Sequence, residues 1–216
     1  MTTLALVVFG WICGSMPWGY WLVRIFRHED IRTKGSGNIG ATNVWRLYGR
    51  RLGVAAVVLD TAKGFVPAFV ATKLAGHDAG VLAGAAAMLG HYRPLFLGFR
   101  RGGKVVATTG GAFLGVAPIV GGLGAVVWLV VFGLTRYASV ASIISAISLP
   151  LWAWLVGYPW PVIAFAAVAA LAVVVLHRAN LRRLVRGEEP RFTRKRRNDD
   201  KPAGAGKSSL DAVREP

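Results

Sequence analysis

Apolar residues run along this chain in long blocks almost free of charge, separated by short polar stretches. The blocks fall at Leu4–Phe26, Leu52–Lys73, Ala79–Leu97, Val105–Val120, Gly122–Leu134, Val140–Val156 and Trp160–His177. Continuous apolar runs that approach about 20 residues are the signature of helices solvated by lipid, where every backbone N–H and C=O must be paired within the segment. The pattern predicts an all-α integral membrane protein, a bundle of about seven short transmembrane helices. One stretch is ambiguous: Val105–Leu134 fits either one long tilted helix or two short ones. Pro118 and the Gly121–Gly122 pair lie near its middle, where a turn is expected.

Charge decides between the two. Basic residues gather in the segment Arg27–Arg51, in His91–Lys104 and after His177, whereas the intervening connections at Lys73–Asp78, Gly115–Gly124 and Gly157–Pro161 are poor in charge. If Val105–Leu134 crosses once, the basic segments land on opposite faces; if it turns back, they share one face, as the positive-inside rule requires. Two short helices are therefore expected, with the N-terminus outside and the C-terminus cytoplasmic. Trp152, Trp154, Tyr158 and Trp160 mark an aromatic belt at the outer boundary. Small residues such as Ala83–Ala87 let neighbouring helices approach closely.

Composition agrees with a membrane chain. Of the 216 residues, 54% are hydrophobic and 17% charged, too apolar a mixture for one soluble core. The net charge is +16, and 12 of the 26 Lys and Arg lie from Arg178 onward. With Phe192 the one stacking aromatic in that segment, this charge points to membrane lipids as partners and not to nucleic acid. The expected organisation is a membrane domain over residues 1–189 followed by a basic, disordered cytoplasmic tail over 190–216. Cys13 is the single cysteine, inside the first apolar run, so it offers neither a disulfide nor a thiolate cluster. The N-terminus lacks a basic n-region and a small-residue cleavage pattern, and its first apolar run is read as a span.

Three polar segments on the basic face carry candidate chemistry. In Lys34-Gly35-Ser36-Gly37-Asn38-Ile39-Gly40-Ala41-Thr42-Asn43-Val44-Trp45-Arg46, glycines alternate with small polar residues before a helix. Gly at positive φ lets backbone N–H groups converge on an anion, and a helix start favours the same charge. Thr42 or Asn43 is expected to cap that helix, with Arg46 one turn on as a forked donor. The second segment is Gly90–Phe96 leading to Gly102-Gly103-Lys104, expected to present bare backbone donors and a mobile ammonium at a helix start. The third pairs Ser139 and Ser142 with His177 and Asn180, each pair on one helical face. Asp60 and Lys63 lie inside the second span, spaced for a mutual pair or a functional role.

Other chemistries lack their residues. There is no H-E-x-x-H zinc motif and no G-x-S-x-G elbow. His28, His77, His91 and His177 are followed five positions on by Thr33, Leu82, Phe96 and Arg182, so the histidine–aspartate motif of coenzyme-A-dependent glycerolipid acyltransferases is missing. No metal and no cofactor is expected.

Taken in order, the segments resemble the acyl-phosphate-dependent glycerol-3-phosphate acyltransferase family of bacterial membranes, called PlsY. The likeness rests on G-S-G-N-x-G-A-T-N with a following Arg (Gly35–Arg46), G-H-x-x-P-x-F leading to G-G-K (Gly90–Lys104), Ser139 with Ser142, Asp60-x-x-Lys63-Gly64, and H-x-x-N-x-x-R-L-x-x-G-x-E from His177 to Glu189. Where the family has Gly after Gly-Gly-Lys, this chain has Val105. The resemblance implies that acyl phosphate and glycerol-3-phosphate give lysophosphatidic acid and phosphate for phospholipid synthesis, at the cytoplasmic face of the bacterial inner membrane. It implies that Ser36, Gly37, Asn38, Gly40, Thr42, Asn43 and Arg46 bind one phosphate. Lys104 and Ser142, with His177 and Asn180 near the carbonyl, then serve the other phosphate and the oxyanion, with Ser139 and Gly103 lining the site. Either His177 or a substrate phosphate oxygen takes the hydroxyl proton. Few carboxylates are expected near two anionic substrates. A small transporter or channel for a phosphorylated solute is the rival reading, since polar glycine-rich segments among short helices also suit solute passage; no inverted repeat is visible to favour it.

Overall fold

The computed structural model of the chain describes residues 1–192. Among them are nine α-helices: α1 (Thr2–Gly14), α2 (Trp18–Arg27), α3 (Ala41–Tyr48), α4 (Arg50–Tyr92), α5 (Val106–Val116), α6 (Pro118–Thr135), α7 (Ala138–Val156), α8 (Trp160–Leu176) and α9 (Arg178–Val185). Single 3-10 turns lie at Ile31–Thr33 and Leu95–Leu97. The fold is an all-helical membrane bundle.

A straight helix as long as α4 would extend about 65 Å, twice the hydrocarbon core. It is in fact two limbs, because Ala75 and Gly76 leave helical geometry and Gly76 takes φ +80°. The second limb folds back on the first. A Cβ on Gly80 would lie 3.2 Å from the carbonyl oxygen of Ala68, whereas twelve residues of straight helix separate positions by about 18 Å. The same logic splits Val105–Leu134. Ala117 breaks the helix, Pro118 opens α6, and a Cβ on Gly121 would sit 2.6 Å from the backbone nitrogen of Leu114. Two helices folded against each other therefore replace one long one, and the break falls at Ala117, just ahead of the Gly121–Gly122 pair.

The first apolar run is not continuous. It divides at Ser15–Pro17, since Pro17 has no N–H for a helical bond and its ring obstructs the preceding turn. The third run ends at Tyr92, short of Leu97, because Pro94 disfavours helical geometry at Arg93. Small residues set the packing: Gly10 lies on the carbonyl of Ala83, and Gly14 on Ala87. The main core joins Phe113, Val116, Val120, Val162, Phe165 and Val173, with the Phe113 and Phe165 rings stacked at 4.8 Å.

The basic segments meet at one end of the bundle. Lys104 reaches Asn180, Arg46 reaches Pro190, and the Phe192 N–H bonds the Arg136 carbonyl. The charge-poor turns lie away from it, where the His77 and Tyr158 rings meet at 5.8 Å. At the expected boundary between domain and tail the chain is still docked: Phe192 packs edge-on against Trp45 and Phe132. The remainder of the expected tail, 193–216, lies outside the described residues.

Candidate active site

The glycine segment folds as a closed loop on the start of α3. Gly35 and Gly37 adopt φ +58° and +66°, which only glycine takes without strain. Asn43 holds the loop from within. Its Oδ1 accepts from the Ser36 N–H at 3.2 Å, and its Nδ2 donates to the carbonyls of Lys34 (3.2 Å) and Asn38 (2.9 Å). Asn38 Oδ1 accepts from the Gly40 N–H at 2.7 Å. The cap of α3 is thus Gly40, with no side-chain bond, and neither Thr42 nor Asn43 caps the helix. Asn43, in the first turn, is a staple. Ser36, Gly37 and Thr42 face solvent; in the first turn of α3 the Asn43 N–H bonds the Gly40 carbonyl at 3.0 Å, and the Ala41 and Thr42 N–H groups have no carbonyl one turn back. That open face, ringed by Ser36, Asn38 and Thr42, suits an anion.

A second pole forms around a carboxylate. Glu189, buried to 6% exposure, accepts from Ser139 Oγ (2.8 Å) and Asn180 Nδ2 (2.6 Å) at Oε1, and from Arg183 Nε (2.8 Å) at Oε2. Lys104 Nζ donates to Asn180 Oδ1. Burial alone would raise the Glu189 carboxyl, but the hydrogen bonds from Asn180, Ser139 and Arg183 bring it below its ordinary value. Burial, with Arg183, Arg101 and Arg46 nearby, lowers the Lys104 amine to about 8 despite the opposing pull of Glu189. His177 lies in the 55° bend between α8 and α9. Its Nδ1 lies 2.8 Å from the Val173 carbonyl, which fixes the proton on Nδ1 and leaves Nε2 as acceptor.

Arg46 joins the two poles. Its Nη2 donates to the Pro190 carbonyl at 2.8 Å, and its guanidinium stacks 4.8 Å over the Phe192 ring. Two expected members sit differently. The Gly103 N–H is committed to the His91 carbonyl (3.1 Å) and the Gly102 N–H to the Tyr92 carbonyl (2.9 Å), so this pair closes the end of α4 and does not offer bare donors. Ser142 Oγ donates to the Ala138 carbonyl (2.7 Å) and accepts from Trp128 Nε1 (3.1 Å), turned away from Glu189, while Ser139 reaches it.

Comparison with known proteins decides what this pair of poles belongs to. A family model described as Glycerol-3-phosphate acyltransferase matches residues 4–187. Glycerol-3-phosphate acyltransferases of Desulforudis audaxviator and Aquifex aeolicus are each 43% identical to the chain, over 89% of it and over 98% and 100% of their own lengths. The chain belongs to the glycerol-3-phosphate acyltransferase family. The crystal structure of PlsY (YgiH), an integral membrane glycerol 3-phosphate acyltransferase, superposes in its glycerol 3-phosphate form with TM-score 0.85 at 41% identity, covering 89% of this chain and 96% of that one. Its lysophosphatidic acid form gives TM-score 0.83 at 40% identity. The chain is therefore a membrane acyltransferase, and the transporter reading has no support.

Within this acyltransferase the carboxylate was the surprise. A site of two anionic substrates was expected to be poor in carboxylates, yet Glu189 is the hub on which Ser139, Asn180 and Arg183 converge. Its signal was present as the last residue of the H-x-x-N-x-x-R-L-x-x-G-x-E run, three positions beyond Arg186. Val105, where the resemblance led to glycine being expected, sits at φ +58° with its side chain buried. A β-branched residue in the left-handed region is strained, which explains why glycine suits that position.

Proposed function

We propose that this enzyme transfers a fatty acyl group from an acyl phosphate to glycerol-3-phosphate, giving lysophosphatidic acid and inorganic phosphate. An acyl phosphate is a mixed anhydride with an activated carbonyl and a competent leaving group. The protein then has to hold two anions and stabilise charge on the tetrahedral intermediate. The observation that carries the reading is the pair of anion-receptive poles bridged by Arg46: the open face of the loop at Ser36–Thr42, and Lys104 with Asn180 beside His177.

In this reading the phosphate of glycerol-3-phosphate rests on the Ser36, Gly37, Asn38, Gly40 and Thr42 face. Arg46 exchanges the Pro190 carbonyl for a phosphate oxygen, and Asn43 keeps the loop in shape. Lys104 takes the acyl phosphate group and Asn180 faces the carbonyl. Ser139, Ser142 and Gly103 support them. The acceptor hydroxyl oxygen bonds to the acyl carbon, the acyl carbon–phosphate oxygen bond breaks, and phosphate leaves. The hydroxyl proton passes to His177 Nε2, which the bond at Nδ1 leaves free to accept it, or to a phosphate oxygen. Glu189 meets substrate through Asn180, not directly; its charge is already shared among three donors.

The basic end belongs in the cytoplasm of a bacterial inner membrane by the positive-inside rule, which puts the N-terminus outside and the C-terminus inside across seven spans. Donor identity is tested with the full-length protein in lipid, offered glycerol-3-phosphate with palmitoyl phosphate, palmitoyl-coenzyme A or palmitoyl–acyl carrier protein in turn. Activity with palmitoyl phosphate alone is expected; equal use of a thioester would refute the donor assignment.

A further inference from the structure

Three titratable residues that the reaction does not use meet deep in the bundle. Lys63 Nζ lies 2.8 Å from Asp60 Oδ1, and His91 Nδ1 lies 3.8 Å from the same oxygen. All three are shut away, with Asp60 at 2%, Lys63 at 4% and His91 at 3% exposure. Charged groups at such depth are expensive and persist where something depends on them.

The cluster touches two breaks in the fold. On one side Lys63 Nζ donates to the Met16 carbonyl at 2.7 Å, at the α1–α2 break made by Pro17. On the other side His91 is the residue on which the lysine loop rests. The Gly103 N–H bonds the His91 carbonyl, and a Cβ on Gly103 would fall 1.9 Å from His91 Nε2. A Cβ on Gly102 would fall 2.0 Å from the His91 carbonyl oxygen. Backbone is thus laid directly on the imidazole, with no side chain between, and the next residue is Lys104.

We propose that Asp60, Lys63 and His91 are positioning residues for the lysine loop: the ion pair backs the His91 ring through a 3.8 Å contact from Asp60 Oδ1 that is too long for a hydrogen bond, the ring seats Gly103, and Gly103 delivers Lys104 to Asn180. The proposal rests on the reading of Lys104 as the donor-phosphate contact. The groups facing the Lys104 amine are Asn180, Glu189, Arg183, Arg101, Arg46 and His177. A displaced loop moves the amine away from them and out of its half-buried seat. The chemistry read at Lys104 then changes although Asp60 lies on a different element.

The test uses the full-length enzyme in lipid carrying Asp60→Asn with Lys63→Gln, a double change that leaves no unpaired buried charge, and separately His91→Gln. Michaelis constants for palmitoyl phosphate and for glycerol-3-phosphate, and the pH of the alkaline fall in activity, are measured for each. The expected result is a donor KM raised at least about fivefold, an acceptor KM within about twofold of the unmodified enzyme, and an alkaline fall moved to higher pH. Lower activity with both Michaelis constants and the alkaline limb unmoved would mean only a smaller folded fraction, and would overturn the proposal. So would unaltered kinetics. If Lys104→Ala itself keeps full activity, the assignment of Lys104 fails; if Lys104→Ala is inactive and both cluster variants are unaltered, only the positioning role fails.

Discussion

Replacing Asn43 by Ala removes one small side chain that no substrate needs to touch, yet it is expected to weaken acceptor binding strongly. The side chain holds the glycine loop through three hydrogen bonds, to the Ser36 N–H and to the carbonyls of Lys34 and Asn38. A hydrogen bond of this kind contributes about 0.5–1.5 kcal/mol net. Lys34 and Ser36 are exposed, so water replaces part of what they lose, and the three bonds together contribute about 2 kcal/mol to the ordered loop. That amount corresponds to a roughly 30-fold change in the fraction of loops shaped for binding, and the apparent affinity falls by the same fraction. Initial rates with palmitoyl phosphate at saturation and glycerol-3-phosphate varied should show the acceptor KM raised about 10- to 30-fold. The donor KM should stay put, because Lys104 and Asn180 stand on other elements. An acceptor KM within twofold of the unmodified enzyme would refute the claim that this loop, stapled by Asn43, is the acceptor's phosphate site.

Lys104→Ala and Arg46→Ala should each lose at least about tenfold in kcat/KM through a missing charge-assisted contact, and retained activity in either removes that residue from the site. His177→Gln separates the two proton acceptors: near-normal turnover assigns the proton to a substrate phosphate, and a large fall in kcat assigns it to His177 Nε2. Because the Lys104 amine is lowered to about 8, its ammonium is present below that pH and lost above it, so activity should fall as pH rises through about 8. Lys104→Arg should abolish that limb if it retains turnover, and a limb that stays in place would assign it to another group. In a Cys13→Ala background, a cysteine at Ile119 should react with a membrane-impermeant thiol reagent only from outside and one at Arg51 only from inside; the reverse would invert the topology.

What the sequence disclosed, and what it hid, follows from the range of each interaction. Hydrophobic runs and charge parity together located the turn between α5 and α6, because burial in lipid acts on whole segments and Pro118 marks the break. Hydropathy passed over the break at Ser15–Pro17, since a kink leaves an apolar run as apolar as before. The glycine segment was legible from residue types alone as a loop with positive-φ glycines leading into a helix. Asn43's place inside it was not, because a cap and a staple demand the same amide and differ only in where the chain bends. Gly102 and Gly103 looked like free donors because their partners, the carbonyls of Tyr92 and His91, become available only once α4 ends at that point. Glu189 was hidden by a sound electrostatic expectation: a carboxylate repels anions unless donors already share its charge, and although Asn180 and Arg183 lie close to it in sequence, the third donor, Ser139, comes from a segment 50 residues away.

The central claim is that the two poles bring an acyl phosphate and glycerol-3-phosphate together for direct transfer. Its most direct test is the stoichiometry of phosphate release and lysophosphatidic acid formation by the full-length protein in lipid, given palmitoyl phosphate with and without glycerol-3-phosphate. Equal amounts of both products, and negligible phosphate without the acceptor, are the predicted result. Phosphate released at the same rate with no acceptor, or no lysophosphatidic acid formed with it, would contradict the account.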